Sequence, residues 1–296
     1  MRRSLIPVVA TLAALLVTTP ASAITGGRPD TDGHPYVALM QTYDQNRKPL
    51  QVCTGSLVTP TLFLTAAHCV EEPQAVHAEV WFDQGPIIPD IDYLLALFLD
   101  PDFTGSCDYS PNFDGYPCFG DAGGDPHAHP DFCFGCDTGV PRAVVRDVAV
   151  VTLDTPVPAA KVGRYAQLPA PDLVDTLANR SPVDFAGYGV SEQLKLPGKL
   201  FSVPPPRGRW DGAGERKTAT AQLVTGSFAQ ADGFIRFTLE DGGICFGDSG
   251  GPALLGGTDT VLAVNSYVAN GNCAGVAYSQ RVDTPDVLAW IRGFMD

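Results

Sequence analysis

The sequence predicts an all-β protein that ends in one helix. Short apolar or alternating segments, separated by Gly, Pro and Asp, are typical of strands joined by turns. Convincing helical periodicity occurs only at the C-terminus. The predicted strands are Tyr36–Thr42, Val52–Val58, Leu62–Ala66, His77–Phe82, Val144–Leu153, Val183–Ala186, Lys217–Val224, Phe234–Leu239, Ala253–Leu255 and Val261–Tyr267.

The C-terminal helix is predicted from its start signals and its apolar stripe. Thr284 can cap the first turn, and Pro285 suits the first helical position. The stripe consists of Val287, Leu288, Ile291 and Phe294. Because these side chains recur every three to four positions, one face of the helix is expected to be buried.

The first 23 residues have the organisation of a secretory signal peptide. A basic start precedes the apolar run 5–17, and the small residues at 21–23 form a cleavage site. The run is shorter than the roughly 20 apolar residues that span a membrane. The mature chain is therefore expected to begin at Ile24 and to be secreted as an extracellular protein.

Charge and cysteine content narrow the choice of partners and compartment. The net charge of −14 argues against nucleic acid and anionic membranes as partners, since both attract basic proteins. The eight cysteines all follow the signal peptide, and an even number in an exported chain predicts disulfide bonds. Four of them lie close together and allow three pairings: Cys107, Cys118, Cys133 and Cys136.

A candidate nucleophile lies in the motif Gly-Asp-Ser-Gly-Gly-Pro at 247–252. A serine between glycines can expose its hydroxyl while backbone N–H groups converge beside it. The spacing also fits the nucleophile elbow of α/β-hydrolases, in which the base follows the serine. Every histidine precedes Ser249, which excludes that alternative: His34, His68, His77, His127 and His129.

A base and an orienting carboxylate can be found earlier in the chain. His68 lies in Thr-Ala-Ala-His-Cys at the end of an apolar run. Asp147 begins the apolar stretch Asp-Val-Ala-Val-Val-Thr-Leu, where a buried carboxylate can accept a hydrogen bond from an imidazole. Each residue alone is more often structural than catalytic, but together with Ser249 they suggest a catalytic triad.

With the three motifs in this order, the chain resembles the chymotrypsin-like (trypsin-like) serine peptidases, and its composition suggests a secreted, bacterial-type member. The resemblance implies two packed six-stranded antiparallel β-barrels with the active site between them and a C-terminal α-helix. The N-terminal barrel would span 24–168 and the C-terminal barrel 169–296. The implied activity is that of a monomeric serine endopeptidase, acting on protein or peptide substrates without a cofactor.

The resemblance also implies roles for individual residues. His68, Asp147 and Ser249 would be catalytic, with the N–H groups of Gly247 and Ser249 as the oxyanion hole. Asp248 would receive the ammonium of a new N-terminus at Ile24, so that signal peptidase itself would create the activating terminus. The implied disulfides are Cys53–Cys69 and Cys245–Cys273.

The resemblance also implies a substrate preference. By the resemblance, Gly243 forms the floor of the primary pocket and leaves no carboxylate for Lys or Arg substrates. The remaining pocket residues are expected to be Ser266, Tyr267, Val268 and Gly275. Val268 would narrow the pocket, which favours small or medium apolar side chains.

Two irregular stretches carry unusual composition. The segment at about 100–139 has eight aspartates, four cysteines and no Lys or Arg, and it is expected to be a surface insertion stapled by disulfides. Zinc on His127, His129, Cys133 and Cys136, or calcium on the aspartates, are the metal-binding alternatives, although neither spacing fits a known motif. A second stretch, 196–217, is expected to be an exposed basic loop, either a nicking site or a plain connector.

The sequence is also compatible with two other functions. The first is a catalytically inactive secreted binding protein on a peptidase scaffold, against which the unsubstituted triad argues. The second is an exported esterase with the same triad, since the chemistry of acyl transfer to water is shared. Comparing ester turnover with amide turnover distinguishes the esterase from the peptidase.

Overall fold

The computed structural model describes residues 24–71, 74–85, 87, 120–136, 143–193, 210–211, 213–228, 230–239 and 242–295. The strands of the N-terminal half are β1 (Arg28–Pro29), β2 (Val37–Tyr43), β3 (Pro49–Thr59), β4 (Leu62–Thr65), β5 (His77–Trp81), β6 (Ala122–Ala128), β7 (Cys133–Cys136), β8 (Ala143–Val145) and β9 (Ala149–Leu153). Those of the C-terminal half are β10 (Pro182–Gly187), β11 (Glu192–Gln193), β12 (Trp210–Asp211), β13 (Lys217–Val224), β14 (Phe234–Thr238), β15 (Pro252–Leu255), β16 (Val261–Val268) and β17 (Val276–Arg281). The helices are α1 (His68–Glu71), α2 (Ala159–Val162), a 3₁₀ turn (Leu173–Thr176) and α3 (Pro285–Arg292).

Six antiparallel strands close the first barrel in the order β2-β3-β4-β9-β6-β5. Closure leaves no unpaired sheet edge, and alternate side chains fill the interior. Leu39, Leu57, Phe63 and Val150 are among the side chains enclosed in its core. The predicted all-β class is confirmed for this half of the molecule.

The second barrel is closed by β13-β10-β15-β16-β17-β14, with β14 pairing back to β13. Strand β1 adds to the outside of β13, so the N-terminal segment lies against the second barrel. Phe185 and Phe237 meet edge to face in the core of this barrel, with ring centroids 5.0 Å apart. Ile24 belongs to the same buried cluster. The expected pair of six-stranded barrels is therefore confirmed.

The C-terminal helix α3 is confirmed, with Thr284 at its N-cap and Pro285 in its first turn. The Thr284 hydroxyl makes no capping hydrogen bond, so the proline and the buried face position the helix start. The buried side chains are Val287, Leu288 and Ile291, as the stripe predicts. No helix in the described part of the chain is long and apolar enough to cross a membrane.

Three predictions of local structure are wrong. The strand predicted over Val144–Leu153 is two strands, because the chain breaks at 146–148 around Asp147. The acidic segment 100–139 is not wholly a surface insertion, since β6 pairs with β5 and β9 inside the first barrel. The basic end of the stretch 196–217 is not an exposed nicking site, because Arg216 and Lys217 are buried.

Glycine explains how so polar a segment enters a barrel. A side chain at Gly124 would meet the carbonyl oxygen of Thr152 at 2.1 Å, so β6 and β9 approach closely only with glycine there. The backbone also donates from Asp154 to the carbonyl of Gly123. Strand β6 is thus held by its backbone and by the absence of side chains rather than by an apolar pattern.

Candidate active site

His68 and Asp147 are joined by two hydrogen bonds. The backbone N–H of His68 donates to Asp147 Oδ1 at 2.9 Å, and the ring Nδ1 lies 2.8 Å from Asp147 Oδ2. His68 begins α1, directly after β4, while Asp147 lies in the break between β8 and β9. The imidazole is partly exposed and the carboxylate is enclosed, so one face of the ring remains accessible.

The backbone around Asp147 is held by two elements of the second half. Arg146 adopts a left-handed conformation (φ 49°), and its guanidinium lies 2.5 Å from Asp286 Oδ2 at the start of α3. The N–H of Asp147 donates to Oε1 of the buried Gln280 at 3.1 Å. Asp147 is therefore fixed from both barrels at once.

Hydrogen bonding keeps the Asp147 carboxylate ionised. Burial raises its pKa, but the charge of His68 and the hydrogen bonds from His68 and Ser266 outweigh it, so the pKa of Asp147 lies below its usual value. The Ser266 hydroxyl donates to Asp147 Oδ2. The sequence predicts Ser266 only as a residue of the substrate pocket. Its contact with Asp147 depends on the strand pairing, which no local sequence pattern indicates.

The Ser249 loop docks against the strands that lead to His68. The N–H of Thr54 in β3 donates to the carbonyl of Ser249 at 2.8 Å. A side chain at Gly250 would meet Thr65 Oγ1 at 2.1 Å and the nitrogen of Ala66 at 2.8 Å. Because those residues lie just before His68, the loop that carries Ser249 packs against the segment that leads to the histidine.

Backbone donors are available beside Ser249. Gly247 has φ +96°, which favours glycine, and its carbonyl accepts from Thr54 Oγ1 at 2.8 Å. In the described part of the chain, the N–H groups of Gly247 and Ser249 donate to no acceptor, whereas those of Asp248 and Gly250 are bonded. Two neighbouring, unpaired N–H groups are what a developing oxyanion requires.

Asp248 is enclosed behind this loop. Its carboxylate accepts from the N–H of Gly189 at 2.8 Å and of Cys245 at 2.9 Å. Burial raises the pKa of Asp248 to about 7, against the opposing effect of these two hydrogen bonds and of the Lys217 charge. Among the described residues, no ion pair joins Asp248 to a cation.

The N-terminal segment docks on the second barrel. Ile24 is completely buried, and Thr25 exchanges hydrogen bonds with Gly243: its carbonyl accepts from the Gly243 N–H at 2.8 Å, and its hydroxyl donates to the Gly243 carbonyl. In the full-length chain the Ile24 nitrogen is an amide, since Ala23 precedes it. Both Ile24 and Asp248 are completely buried, and among the described residues no ion pair joins them.

Two of the residues expected to line the primary pocket, Gly243 and Gly275, both lie next to Leu239. A side chain at Gly243 would meet Leu239 Cδ2 at 2.3 Å, and the Leu239 N–H donates to the carbonyl of Gly275. Val268 is half-buried and packs against the apolar core of the second barrel. Tyr267 stacks on Tyr278 at a centroid distance of 4.7 Å. The side chain that a residue larger than glycine at 243 would meet is therefore apolar.

Three disulfides are present among the described residues: Cys53–Cys69, Cys133–Cys136 and Cys245–Cys273. The first and third are the pairs that the resemblance implies. Cys133 and Cys136, which the zinc alternative uses, are bonded to each other in the structure and offer no thiolates there. Cys107 and Cys118 lie outside the described residues, as do most of the aspartates invoked for calcium.

The two histidines of the zinc alternative have structural contacts instead. His129 packs on Trp290 at a ring centroid distance of 4.9 Å, and burial lowers its pKa. His127 packs on Phe294 at 5.2 Å and hydrogen-bonds to Thr152. They hold the C-terminal segment against the first barrel.

Comparison with known proteins gives one family and one fold. The family model described as Trypsin matches residues 24–87 and 133–291. The chain is similar in structure to HL collagenase, with a TM-score of 0.61 and 19% identity over 93% of this chain and 96% of that one. It is also similar to neuropsin, a serine protease expressed in the limbic system of mouse brain, with a TM-score of 0.56 and 16% identity over 92% and 100%. A search of curated proteins finds no match.

Proposed function

Since the chain belongs to the trypsin family, we propose that it is a secreted serine endopeptidase with Ser249 as nucleophile, His68 as base and Asp147 as the orienting acid. The observation that carries the proposal is the bidentate contact of Asp147 with His68, next to a serine loop docked on the same strands. An inactive scaffold has no need to keep this acid–imidazole pair together with an unsubstituted serine.

The proposed reaction proceeds through an acyl-enzyme. Ser249 Oγ attacks the peptide carbonyl carbon while His68 Nε2 takes the hydroxyl proton, and a C–O bond forms as the carbonyl π bond opens. The tetrahedral intermediate expels the amine, which receives that proton from His68. A water molecule then repeats the sequence on the ester, which releases the acid and regenerates Ser249.

Asp147 supports the base through both of its oxygens. Oδ2 accepts the Nδ1–H of His68, which leaves Nε2 as the basic nitrogen of the ring. In the structure Nε2 lies 3.7 Å from Cys69 Sγ. Because the pKa of Asp147 is low, the carboxylate stays charged and stabilises the imidazolium that forms. The N–H groups of Gly247 and Ser249 would stabilise the oxyanion, at roughly 3–4 kcal/mol for each donor.

We also propose that cleavage before Ile24 completes the site. A buried acid with a pKa raised to about 7 and only backbone donors around it is suited to receive an ammonium. The burial of Ile24 and the contacts of Thr25 with Gly243 support a docking position for the new terminus close by. Signal peptide removal would thereby couple export to activation.

The apolar surroundings of Gly243 support a preference for small or medium apolar side chains before the cleaved bond. No acidic group is among the pocket residues, so a Lys or Arg preference is not expected. Val268→Gly should widen the pocket and shift the preference towards aromatic residues by about 1–3 kcal/mol. Profiling cleavage of a peptide library by both proteins measures the shift.

The proposed function is tested by labelling the secreted protein with a fluorophosphonate probe. Mass spectrometry then identifies the modified residue and the N-terminal residue, with Ser249→Ala and His68→Ala as matched variants. We expect labelling at Ser249 that requires His68, on a chain that begins at Ile24. A folded, correctly processed chain that takes no label would instead favour an inactive binding protein, and turnover of esters without amides would favour an esterase.

A further inference from the structure

Arg236, in β14, is a half-buried cation whose Nε has no hydrogen-bond partner. Its guanidinium packs over the Phe228 ring, with the central carbon 4.9 Å from the ring centroid. Buried polar groups in folded proteins are nearly always hydrogen-bonded, so one that lacks a partner needs an explanation. Pairing with a ligand that is absent from the free protein is such an explanation.

Other arginines show what a structural cation looks like in this molecule. In the described part of the chain, three further arginines are buried or half-buried, and each has a carboxylate: the pairs are Arg146–Asp286, Arg216–Asp30 and Arg281–Asp283. Arg236 forms no ion pair with any described residue, although the chain has 33 acidic side chains. Its guanidinium is therefore available to an acid from outside the chain.

Strand pairing places Arg236 on a sheet face that also contacts Asp147. Arg236 lies opposite Tyr278 in the β14–β17 pair, and directly opposed residues project to the same face of a sheet. Gln280, two positions further along β17 and so on that same face, accepts the N–H of Asp147. Two residues of a strand cover roughly 7 Å. Arg236 is thus within reach of an extended peptide bound beside His68 and Asp147.

Aromatic rings connect the cation with the expected substrate pocket. Tyr278 stacks on Tyr267 with ring centroids 4.7 Å apart, and the Phe228 ring lies 5.9 Å from that of Tyr278. All three rings are half-buried, so each keeps part of its surface open. A peptide that leaves the pocket next to Tyr267 therefore meets a continuous aromatic surface that leads to the guanidinium.

We propose that Arg236, Phe228 and Tyr278 form a further substrate subsite, which binds the carboxylate of an acidic side chain. The subsite serves residues on the N-terminal side of the cleaved bond, because the expected pocket at Tyr267 holds the side chain just before that bond. A guanidinium can bind a carboxylate through two parallel hydrogen bonds, and an aromatic face stabilises the cation.

The inference rests on the proposed function and deepens it, since it names a class of substrate. The preferred peptides carry a small or medium apolar residue before the cleaved bond and an Asp or Glu a few residues earlier. The chain itself is strongly acidic, with a net charge of −14, and repels acidic peptides in general. The gain from an acidic residue is therefore confined to the position that meets Arg236.

The test compares peptides that differ in one acidic residue. A quenched fluorescent series carries Ala before the cleaved bond and Asp at the second, third, fourth or fifth position before it, with Asn as the neutral partner each time. In the wild type, Asp should raise kcat/KM about tenfold over Asn at one of these positions, the scale of a hydrogen bond between charged groups. Arg236→Met should abolish this preference, and Arg236→Glu should replace it with a preference for Lys at the same position.

Arg292→Met is the matched control, since it removes an exposed arginine at the end of α3 and changes the net charge by the same amount. It should keep the wild-type preference for Asp. An equal preference in wild type and Arg236→Met, or none in wild type at any of the four positions, would overturn the inference.

Binding measured without turnover keeps this inference distinct from the proposed function. Fluorescence anisotropy with Ser249→Ala, on a chain that begins at Ile24, gives the Kd of labelled Asp and Asn peptides, and the Asp peptide should bind about tenfold more tightly only where Arg236 is present. If wild type hydrolyses none of the peptides, the proposed function fails, while this ratio still decides on Arg236. If inorganic phosphate raises the Tm of wild type but not of Arg236→Met, and the two peptides bind equally, the cation holds a free anion and the substrate assignment is overturned.

Discussion

Asp147 and Asp248 are both enclosed by the protein, with 1% and 0% of their surfaces exposed, yet their pKa values move in opposite directions. The pKa of Asp147 is lowered, whereas that of Asp248 is raised to about 7. Both acids accept hydrogen bonds from backbone N–H groups. Burial and backbone donors are therefore not what distinguishes them.

The difference lies in the side chains that face each carboxylate. Asp147 faces the His68 ring at hydrogen-bond distance and the hydroxyl of Ser266. Asp248 faces glycine backbone at 187 and 189, and Lys217 is close enough to affect its pKa but forms no ion pair with it in the structure. The first acid has its partners in place, and the second is arranged to acquire one.

The largest effect on activity should come from Asp147→Asn, which removes the carboxylate that binds His68. Oδ1 accepts a backbone N–H, so the amide oxygen must stay there and the NH₂ group must face His68 Nδ1. His68 would then carry its proton on Nε2 and could not act as the base. We expect kcat to fall by roughly 10⁴-fold, the magnitude known for this substitution in the family's triad, with the melting temperature little changed.

Initial rates on a peptide amide, with active-site titration to correct for inactive protein, measure this effect. Asp259→Asn is the matched control, because it removes a carboxylate that pairs with Arg164 and contacts neither His68 nor the backbone around Asp147. A loss of less than tenfold in Asp147→Asn would contradict the role assigned to the carboxylate.

The second effect is the pH dependence of stability in the unprocessed chain. A raised pKa means that the folded state holds the Asp248 proton more tightly than the unfolded state, whose pKa is about 3.9. The stabilisation is therefore present below pH 4 and is lost as the pH rises through about 7. At 1.36 kcal/mol per unit, the loss reaches about 4 kcal/mol.

Asp147 changes the free energy of unfolding with pH in the opposite direction. Its lowered pKa stabilises the folded state above about pH 4, and this stabilisation is lost on further acidification. Denaturant unfolding between pH 4 and 8 distinguishes the contribution of Asp248 from that of Asp147. The N-terminally extended wild type should lose stability relative to extended Asp248→Asn as the pH rises, while histidine titration cancels in the comparison. Parallel curves for the two proteins would show that Asp248 is not perturbed.

A third effect concerns Gln280, which anchors the N–H of Asp147, whereas at Asp248 the buried Asn265 side chain donates to the backbone carbonyl. Its Oε1 accepts the Asp147 N–H, and its Nε2 donates to the carbonyl of Gly233 at 2.8 Å. Gln280→Met keeps the volume but leaves the buried N–H of Asp147 without a partner, while the Gly233 carbonyl keeps the N–H of Arg281. An unsatisfied buried donor costs about 1–3 kcal/mol in the free energy of unfolding. Chemical denaturation measures this loss of stability. Ser279→Ala, at the adjacent buried position, is the comparison variant. A change below about 0.5 kcal/mol for Gln280→Met, the size of an ordinary surface substitution, would contradict the role of Gln280 in holding Asp147.

Much of the fold was accessible from the sequence because its strands carry strong patterns. Strand β13 has the predicted bounds, Lys217–Val224, and the terminal helix has its predicted buried face. His68 and Asp147 were grouped by motif, and the structure joins them by hydrogen bonds. Motifs of this kind consist of residues that are adjacent in the chain, so they can be read from the sequence without knowledge of the fold.

The parts that sequence reasoning missed depend on contacts across strands. Strand β6 is rich in Gly and polar residues because it approaches β9 closely, and nothing in its own pattern indicates a barrel strand. Lys217 is buried because β13 has β1 on one side and β10 on the other. The bond from Ser266 to Asp147 likewise exists only once β16 lies beside the break between β8 and β9.

Ser266→Ala should give the smallest effect, and it tests whether a neutral donor matters next to His68. The hydroxyl donates to Asp147 Oδ2, the same oxygen that accepts from the imidazole, and it helps to lower the pKa of Asp147. Without it, one lone pair of a buried carboxylate loses its donor, which costs about 1–2 kcal/mol in unfolding free energy and about tenfold in kcat. KM should stay within about twofold if Ser266 acts through Asp147, because substrate binding would be untouched. A rise in KM with kcat unchanged would instead place Ser266 among the groups that bind substrate, and the low pKa of Asp147 would then rest on His68 alone.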